Sequence, residues 1–180
     1  IIASAISNGS LKIKNIQPKY ISTEINLLRK MGIKIHMGQG YIKVFSPKKI
    51  KKINLTTKPY PGFPTDLQAQ IMALMTKAEG TSVIRENIFE NRFMHVSELR
   101  RMGAQIDITG NKATVYGNKK LNGAELMATD LRASVSLVLA GLAAKGRTIV
   151  NRIYHLDRGY EKIEDKLSKC GAFIKRIPNE

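Results

Sequence analysis

Two rhythms of apolar residues alternate along this 180-residue chain, and together they predict its architecture. Positions 67–75 and 131–144 are apolar almost all round, with Ala, Gly and Ser permitting close approach. That is the pattern of helices buried on every side. Positions 21–31, 95–102 and 159–170 instead mix apolar and polar residues at helical spacing, and each ends at a glycine. They predict amphipathic helices with glycine C-terminal caps. Short strands are predicted at 82–85 and 148–151. Period-two alternation predicts two hairpins: 34–37 with Tyr41–Phe45, turning at Gly38-Gln39-Gly40, and Gln105–Thr109 with 113–116, turning at Gly110-Asn111. The alternating strands have one wet face.

The elements repeat. Thr65-Asp66-Leu67-Gln68-Ala69 returns as Thr129-Asp130-Leu131-Arg132-Ala133, and Leu99-Arg100-Arg101-Met102-Gly103-Ala104 returns as Leu167-Ser168-Lys169-Cys170-Gly171-Ala172. An earlier, partial copy contains Leu28-Arg29-Lys30-Met31-Gly32-Ile33. Gly9 to Gly80 and Gly32 to Gly103 are each 71 residues apart, and Gly80 to Gly146 is 66. Three copies of one helix–strand–helix–strand–strand unit therefore fill the chain, at approximately 1–58, 59–122 and 123–180. The expected class is α/β, with buried helices inside and half-exposed sheets outside, closed around a pseudo-threefold axis. The first copy opens on what reads as the tail of its first helix. The third runs out before its last hairpin strand, so the pattern predicts a piece of something longer.

Composition narrows the classes. Hydrophobic residues make up 43% and charged residues 24%, a globular balance. The single cysteine, Cys170, excludes an internal disulfide framework and a cysteine-cluster zinc site, and it fits a reducing, cytoplasmic setting. The longest apolar run, 135–144, is interrupted by Ser136 and falls short of the ~18–20 residues of a membrane span. The net charge of +16 points to a polyanionic partner, whether nucleic acid, anionic lipid or a phosphorylated small molecule. Many of the lysines (Lys48, Lys49, Lys51, Lys52, Lys58, Lys119 and Lys120) lie between apolar segments and read as solvated linker. Aromatic residues are 6%, include no Trp, and are not expected to interleave with the basic residues as single-strand binders require.

Candidate chemistry lies at the helix starts. Thr65 and Gln68 have the spacing of a capping box. Asp66 beside them would ordinarily serve the helix dipole, worth ~0.3–1 kcal/mol. In the sister copy Arg132 takes the place of Gln68, putting a cation in a first turn where the dipole disfavours it; a nearby anion would offset that cost. Arg92 and Arg158, 66 residues apart, stand at equivalent positions before the second helix of their units. Arginine's fork suits carboxylates and phosphates. A threefold arrangement would cluster Arg92, Arg132 and Arg158 with Asp66, whose carboxylate would then ionise readily and take a proton from a bound hydroxyl. Cys170 aligns with Met31 and Met102 and reads as a core residue. His36, His95 and His155 lack metal-ligand spacing, and no glycine-rich phosphate loop is present.

Four ordered motifs carry a resemblance: Pro61-Gly62-Phe63-Pro64-Thr65-Asp66-Leu67-Gln68-Ala69-Gln70, Glu90-Asn91-Arg92-Phe93-Met94-His95, Thr129-Asp130-Leu131-Arg132-Ala133-Ser134 and Arg152-Ile153-Tyr154-His155-Leu156-Asp157-Arg158-Gly159-Tyr160-Glu161. Across its whole length the chain resembles the UDP-N-acetylglucosamine 1-carboxyvinyltransferases, enolpyruvyl transferases of bacterial peptidoglycan synthesis. The resemblance implies one domain of a two-domain inside-out α/β barrel, namely the C-terminal domain, less a short segment that the family contributes from its chain start. It also implies transfer of enolpyruvyl from phosphoenolpyruvate to the sugar 3-hydroxyl of UDP-N-acetylglucosamine, with release of phosphate and without metal or cofactor. Carried over, Asp66 matches the aspartate proposed as base for that hydroxyl, and Ile88 matches a residue whose backbone touches the nucleotide sugar. Arg92, Arg132 and Arg158 match arginines around phosphoenolpyruvate, and Asp130 matches an aspartate that orients these groups. The family's proton-donating loop and phosphate-binding lysine lie in the other domain, so the partners implied are that domain and the two substrates, with no nucleic acid or membrane. This chain alone is expected to be inactive. The competing readings are the sister 3-phosphoshikimate 1-carboxyvinyltransferase, a basic nucleic-acid-binding module and a non-catalytic repeat scaffold.

Overall fold

Five glycines at corresponding places in the repeats (Gly32, Gly80, Gly103, Gly146 and Gly171) have φ between 88° and 95°, a region glycine enters without strain. They punctuate three units in the structure, a computed structural model that describes residues 1–177. Positions 178–180 of the expected third repeat lie outside the described residues. The first unit runs α1 (Ile2–Ile6), β1 (Ser10–Lys14), α2 (Ser22–Lys30), β2 (Lys34–Gly38) and β3 (Tyr41–Phe45). The second comprises β4 (Ile50–Lys51), β5 (Asn54–Thr56), α3 (Gln68–Met75), β6 (Ala78–Glu79), β7 (Thr81–Arg85), α4 (Val96–Arg101), β8 (Gln105–Thr109) and β9 (Lys112–Tyr116). The third has β10 (Glu125–Met127), α5 (Leu131–Ala143), β11 (Ile149–Asn151), α6 (Tyr154–Asp157) and α7 (Ile163–Lys169).

Helices α1, α3 and α5 pack on one another at the centre. Every residue of α3 is buried, as are Ala133 to Ala140 of α5. Two serines inside this apolar helix cost little because each is satisfied locally: Ser134 Oγ donates to the Asp130 carbonyl at 2.5 Å and Ser136 Oγ to that of Ala133 at 2.8 Å. Outside lie a three-stranded sheet, β1-β3-β2, and a four-stranded sheet, β5-β7-β9-β8. The hairpins hold the expected register, with Lys34 opposite Phe45 and Gln105 opposite Tyr116. Arg29 and Arg100, 71 residues apart, perform the same task in successive units, donating from the outer helix to the carbonyls of Ile35 and Ile106. No helix among the described residues is long and apolar enough to cross a membrane.

Four expectations need correction. A short strand precedes the inner helix in the second and third units and pairs in parallel with the mid-unit strand, β5 with β7 and β10 with β11. Three residues are too few to display a period, and β4 and β5 fall within the lysine-rich stretch read as linker. Ile50 and Leu55 are buried there while the lysines face solvent, so β5 belongs to the second unit's sheet ahead of position 59. The helix expected at 159–170 begins only at Ile163; ahead of it a break separates α7 from the short α6, which ends at Asp157. That break contains Gly159, where a Cβ would press on Leu131 at 3.0 Å, and Lys162 in the left-handed region at φ 43°. Cys170 is exposed, whereas Met31 and Met102 are fully buried. The first two units fold a hairpin over that helix end; residues 171–177 form no strand here, and Phe173 is open to solvent. Finally, basic and aromatic side chains do interleave, across strands rather than along the chain. Lys12 lies 4.6 Å from the Tyr41 ring and His36 meets Phe45 edge-on, beside Lys14, Lys34 and Lys43 on the outer face of the three-stranded sheet.

Candidate functional site

The chain enters α3 through extended Pro64 and a 3-10 turn, Thr65–Leu67. That turn displaces Thr65 from the cap position, and the expected capping box is not formed. The Thr65 hydroxyl donates instead to Glu86 Oε2 at 2.9 Å. Gln68 is buried, and its Nε2 has no partner among the described residues. The sister helix start is capped, but by Asp130. With φ −158°, Asp130 Oδ1 accepts from the backbone N–H groups of Arg132 at 2.8 Å and Ala133 at 3.0 Å. An anion here complements the helix dipole and fixes the turn that carries Arg132.

Arg132 reaches across to the neighbouring unit. Its Nε lies 2.6 Å and its Nη2 2.5 Å from Asp66 Oδ1, joining the first turns that lead into α3 and α5. The anion that offsets the awkwardly placed cation is thus the protein's own carboxylate. Both partners remain reachable, Asp66 being 64% exposed at its side chain and Arg132 34%. Among the described residues Asp66 Oδ2 has no hydrogen-bond partner, so one carboxylate oxygen is oriented while the other faces solvent free to accept a hydroxyl.

The other expected residues lie on neighbouring elements and are placed by different contacts. His95, at the start of α4, is buried with its Nε2 3.2 Å from Met72 Sδ in α3. Burial lowers its pKa to about 4, against an opposing pull from the Asp130 charge, and α4 packs on α5. Arg92, three residues earlier, has its guanidinium 4.3 Å from the Phe89 ring centre. Arg158 follows α6 and is exposed, next to Gly159 packed on Leu131. Neither Arg92 nor Arg158 touches Asp66 or Arg132. Ile88 is half-buried, and its backbone N–H is taken by Glu86 Oε1 at 2.9 Å.

Glu86 is what sequence reasoning missed. It is 3% exposed, yet both carboxylate oxygens are used: Oε1 accepts from Thr57 Oγ1 at 2.8 Å, Ile88 N at 2.9 Å and Phe89 N at 3.3 Å, and Oε2 accepts from Thr65. The repeats hid it, since the aligned positions hold Asn15 and Arg152. The available signal was parity: Glu86 continues the alternation of Ser82 and Ile84 in β7, directly before the turn that carries Ile88.

A sequence profile described as EPSP synthase (3-phosphoshikimate 1-carboxyvinyltransferase) matches residues 1–167. The UDP-N-acetylglucosamine 1-carboxyvinyltransferase of Pelagibacter ubique is 64% identical over 177 residues, which cover 98% of this chain and 42% of the relative. That of Bartonella quintana is 56% identical over 176 residues, covering 96% of this chain and 41% of the relative. Among solved structures, the enolpyruvyl transferase NikO from Streptomyces tendae superposes with a TM-score of 0.88 at 30% identity, over 97% of this chain and 42% of that one. An EPSP synthase from Acinetobacter baumannii superposes with a TM-score of 0.62 over 83% of this chain and 36% of that one; at 19% identity this is a likeness of fold alone. The chain spans 41–42% of the length of the two sequence relatives.

Proposed function

The chain belongs to the EPSP synthase family of carboxyvinyl transferases, and we propose that the complete protein transfers enolpyruvyl from phosphoenolpyruvate to the 3-hydroxyl of UDP-N-acetylglucosamine. Identity of 56–64% to proteins with that acceptor in their names favours it over shikimate 3-phosphate. One observation carries the chemistry. Arg132 binds Asp66 through Oδ1 alone, leaving Oδ2 presented at the edge where the inner helices begin.

In this reading Asp66 Oδ2 accepts the proton of the sugar hydroxyl as its oxygen bonds to C2 of phosphoenolpyruvate. The methylene carbon takes a proton from an acid on the protein's other domain. Breaking the C–O bond to phosphate and losing one methyl proton then restores the vinyl group. Arg132 keeps Nη1 for an anion while its other nitrogens hold Asp66. Arg92 and Arg158 complete the cationic side of the site, stabilising the carboxylate and the departing phosphate where charge builds up. Asp130 fixes the turn bearing Arg132 and Glu86 engages the Ile88 turn, so the charged groups are placed before substrate arrives.

Phosphate release by the complete protein, with the two substrates supplied, tests this. Asp66→Asn is expected to lower kcat by roughly 10²–10⁴-fold, the range of a positioned general base. Stability should change by less than ~1 kcal/mol, since an exposed ion pair contributes no more. The 180-residue chain alone should release no phosphate. Wild-type turnover unaffected by Asp66→Asn, or turnover with shikimate 3-phosphate in place of the nucleotide sugar, would contradict the reading.

A further inference from the structure

Asp66 and Ile88 sit on different segments, one in the turn that opens α3 and the other beyond the end of β7, and something must hold the two in register. Their sequence separation gives no local means of doing so. Glu86 is the group that touches both. Its Oε2 accepts from Thr65, the residue beside Asp66, at 2.9 Å, and its Oε1 accepts from the Ile88 N–H at 2.9 Å. Thr57, just beyond β5, completes the clamp: its hydroxyl donates to Oε1 at 2.8 Å and accepts from the Asn87 N–H at 2.9 Å.

A buried carboxylate is an expensive choice for a purely structural tie. Among the described residues no cation pairs with it, and four donors replace its hydration. A bare apolar side chain would fill the space without any desolvation cost. What the carboxylate adds is direction: two oxygens on one rigid plane, each fixing a different segment. The partner side chains support this, since Thr57 is fully buried and β-branched, and so holds its hydroxyl in a restricted rotamer.

We propose that Glu86 is the positioning residue of this site, setting the Asp66 turn against the Ile88 turn so that the acceptor hydroxyl and the base meet in reacting geometry. It touches no substrate and acts through Thr65 and the Ile88 amide. The proposal rests on the enolpyruvyl-transfer reading given above.

The two halves of the clamp can be cut separately in the complete protein. Thr65→Val keeps the β-branched shape and removes only the hydroxyl bound to Oε2. It is expected to lower kcat by about tenfold or more while leaving KM for the nucleotide sugar unchanged, because the Ile88 turn stays tied. Glu86→Ala releases both segments and should lower kcat by about ten- to a hundredfold and raise that KM as well. Glu86→Gln retains an acceptor for Thr57 and Ile88, and its amide can donate to the Thr65 hydroxyl; it is expected to recover most of what Glu86→Ala loses. Thermal melts identify any variant that does not fold, and Thr65→Val carries the test if Glu86→Ala does not. Wild-type kinetics in Thr65→Val, or a Gln variant as impaired as a folded Ala variant, would overturn the positioning role. Absence of turnover in the unmodified protein would instead overturn the functional reading beneath it, and the proposal would fall with it.

Discussion

An exposed guanidinium–carboxylate contact adds only about 0–1 kcal/mol to a fold, so the pairing of Asp66 with Arg132 has little value as a structural tie. Its worth is in orientation, since one oxygen of Asp66 is held and the other presented. His95 shows the opposite regime. It is enclosed beneath the same helix starts, and burial lowers its pKa to about 4 from 6.5. Between those values the unfolded chain binds the extra proton and the folded chain does not, so stability rises with pH across that window. It is fully present above 6.5 and lost as pH falls toward 4. The shift corresponds to about 3 kcal/mol. Urea unfolding of the chain from pH 7 to 4 should show this loss, and His95→Gln, which cannot titrate, should remove most of the slope. An unchanged slope would mean that other groups, such as the Asp157 and Glu164 carboxylates that Arg176 holds below their usual range, dominate acid unfolding.

Among the elements, the tightest constraints lie where the backbone of one strand crosses another. A Cβ on Gly117 would overlap the carbonyl of Ala78 in β6, so Gly117→Ala is expected to cost about 1–3 kcal/mol. Gly110, in the β8–β9 turn, has φ 56° and open space around it; Gly110→Asn should stay within about 0.5 kcal/mol, because Asn tolerates that conformation. Chemical unfolding of the two variants separates close approach from backbone conformation as the reason for glycine. The same distinction explains what could be read in advance. The inner helices, the hairpins and their glycine ends were legible because each is long enough to show a period or is punctuated by a glycine. Strands β5 and β10 were not, being three residues long and defined by a parallel neighbour distant in sequence. The capping box at Thr65 had the right spacing, yet a 3-10 turn moves Thr65 off the cap position, and its hydroxyl donates to the buried Glu86 instead. Cys170 was misplaced because no hairpin follows its helix among the described residues, whereas one follows Met31 and Met102 in the other units.

At the scale of the molecule, related units around three packed helices bring the starts of α3 and α5 to one end. Residues 66 apart, Asp66 and Arg132, can meet there only because the copies are related by rotation. Repetition made that meeting legible. Glu86 breaks the repeat and was therefore visible only once folded; Asp130 keeps the repeat, and what the structure added is that it caps its helix while Asp66 does not. The most direct measurement is a crystal structure of the complete protein with UDP-N-acetylglucosamine bound. The sugar 3-hydroxyl is expected within about 3 Å of Asp66 Oδ2, with Arg132 still on Oδ1. A nucleotide sugar bound with that hydroxyl turned away from Asp66, or seated on the outer sheets, would contradict the account.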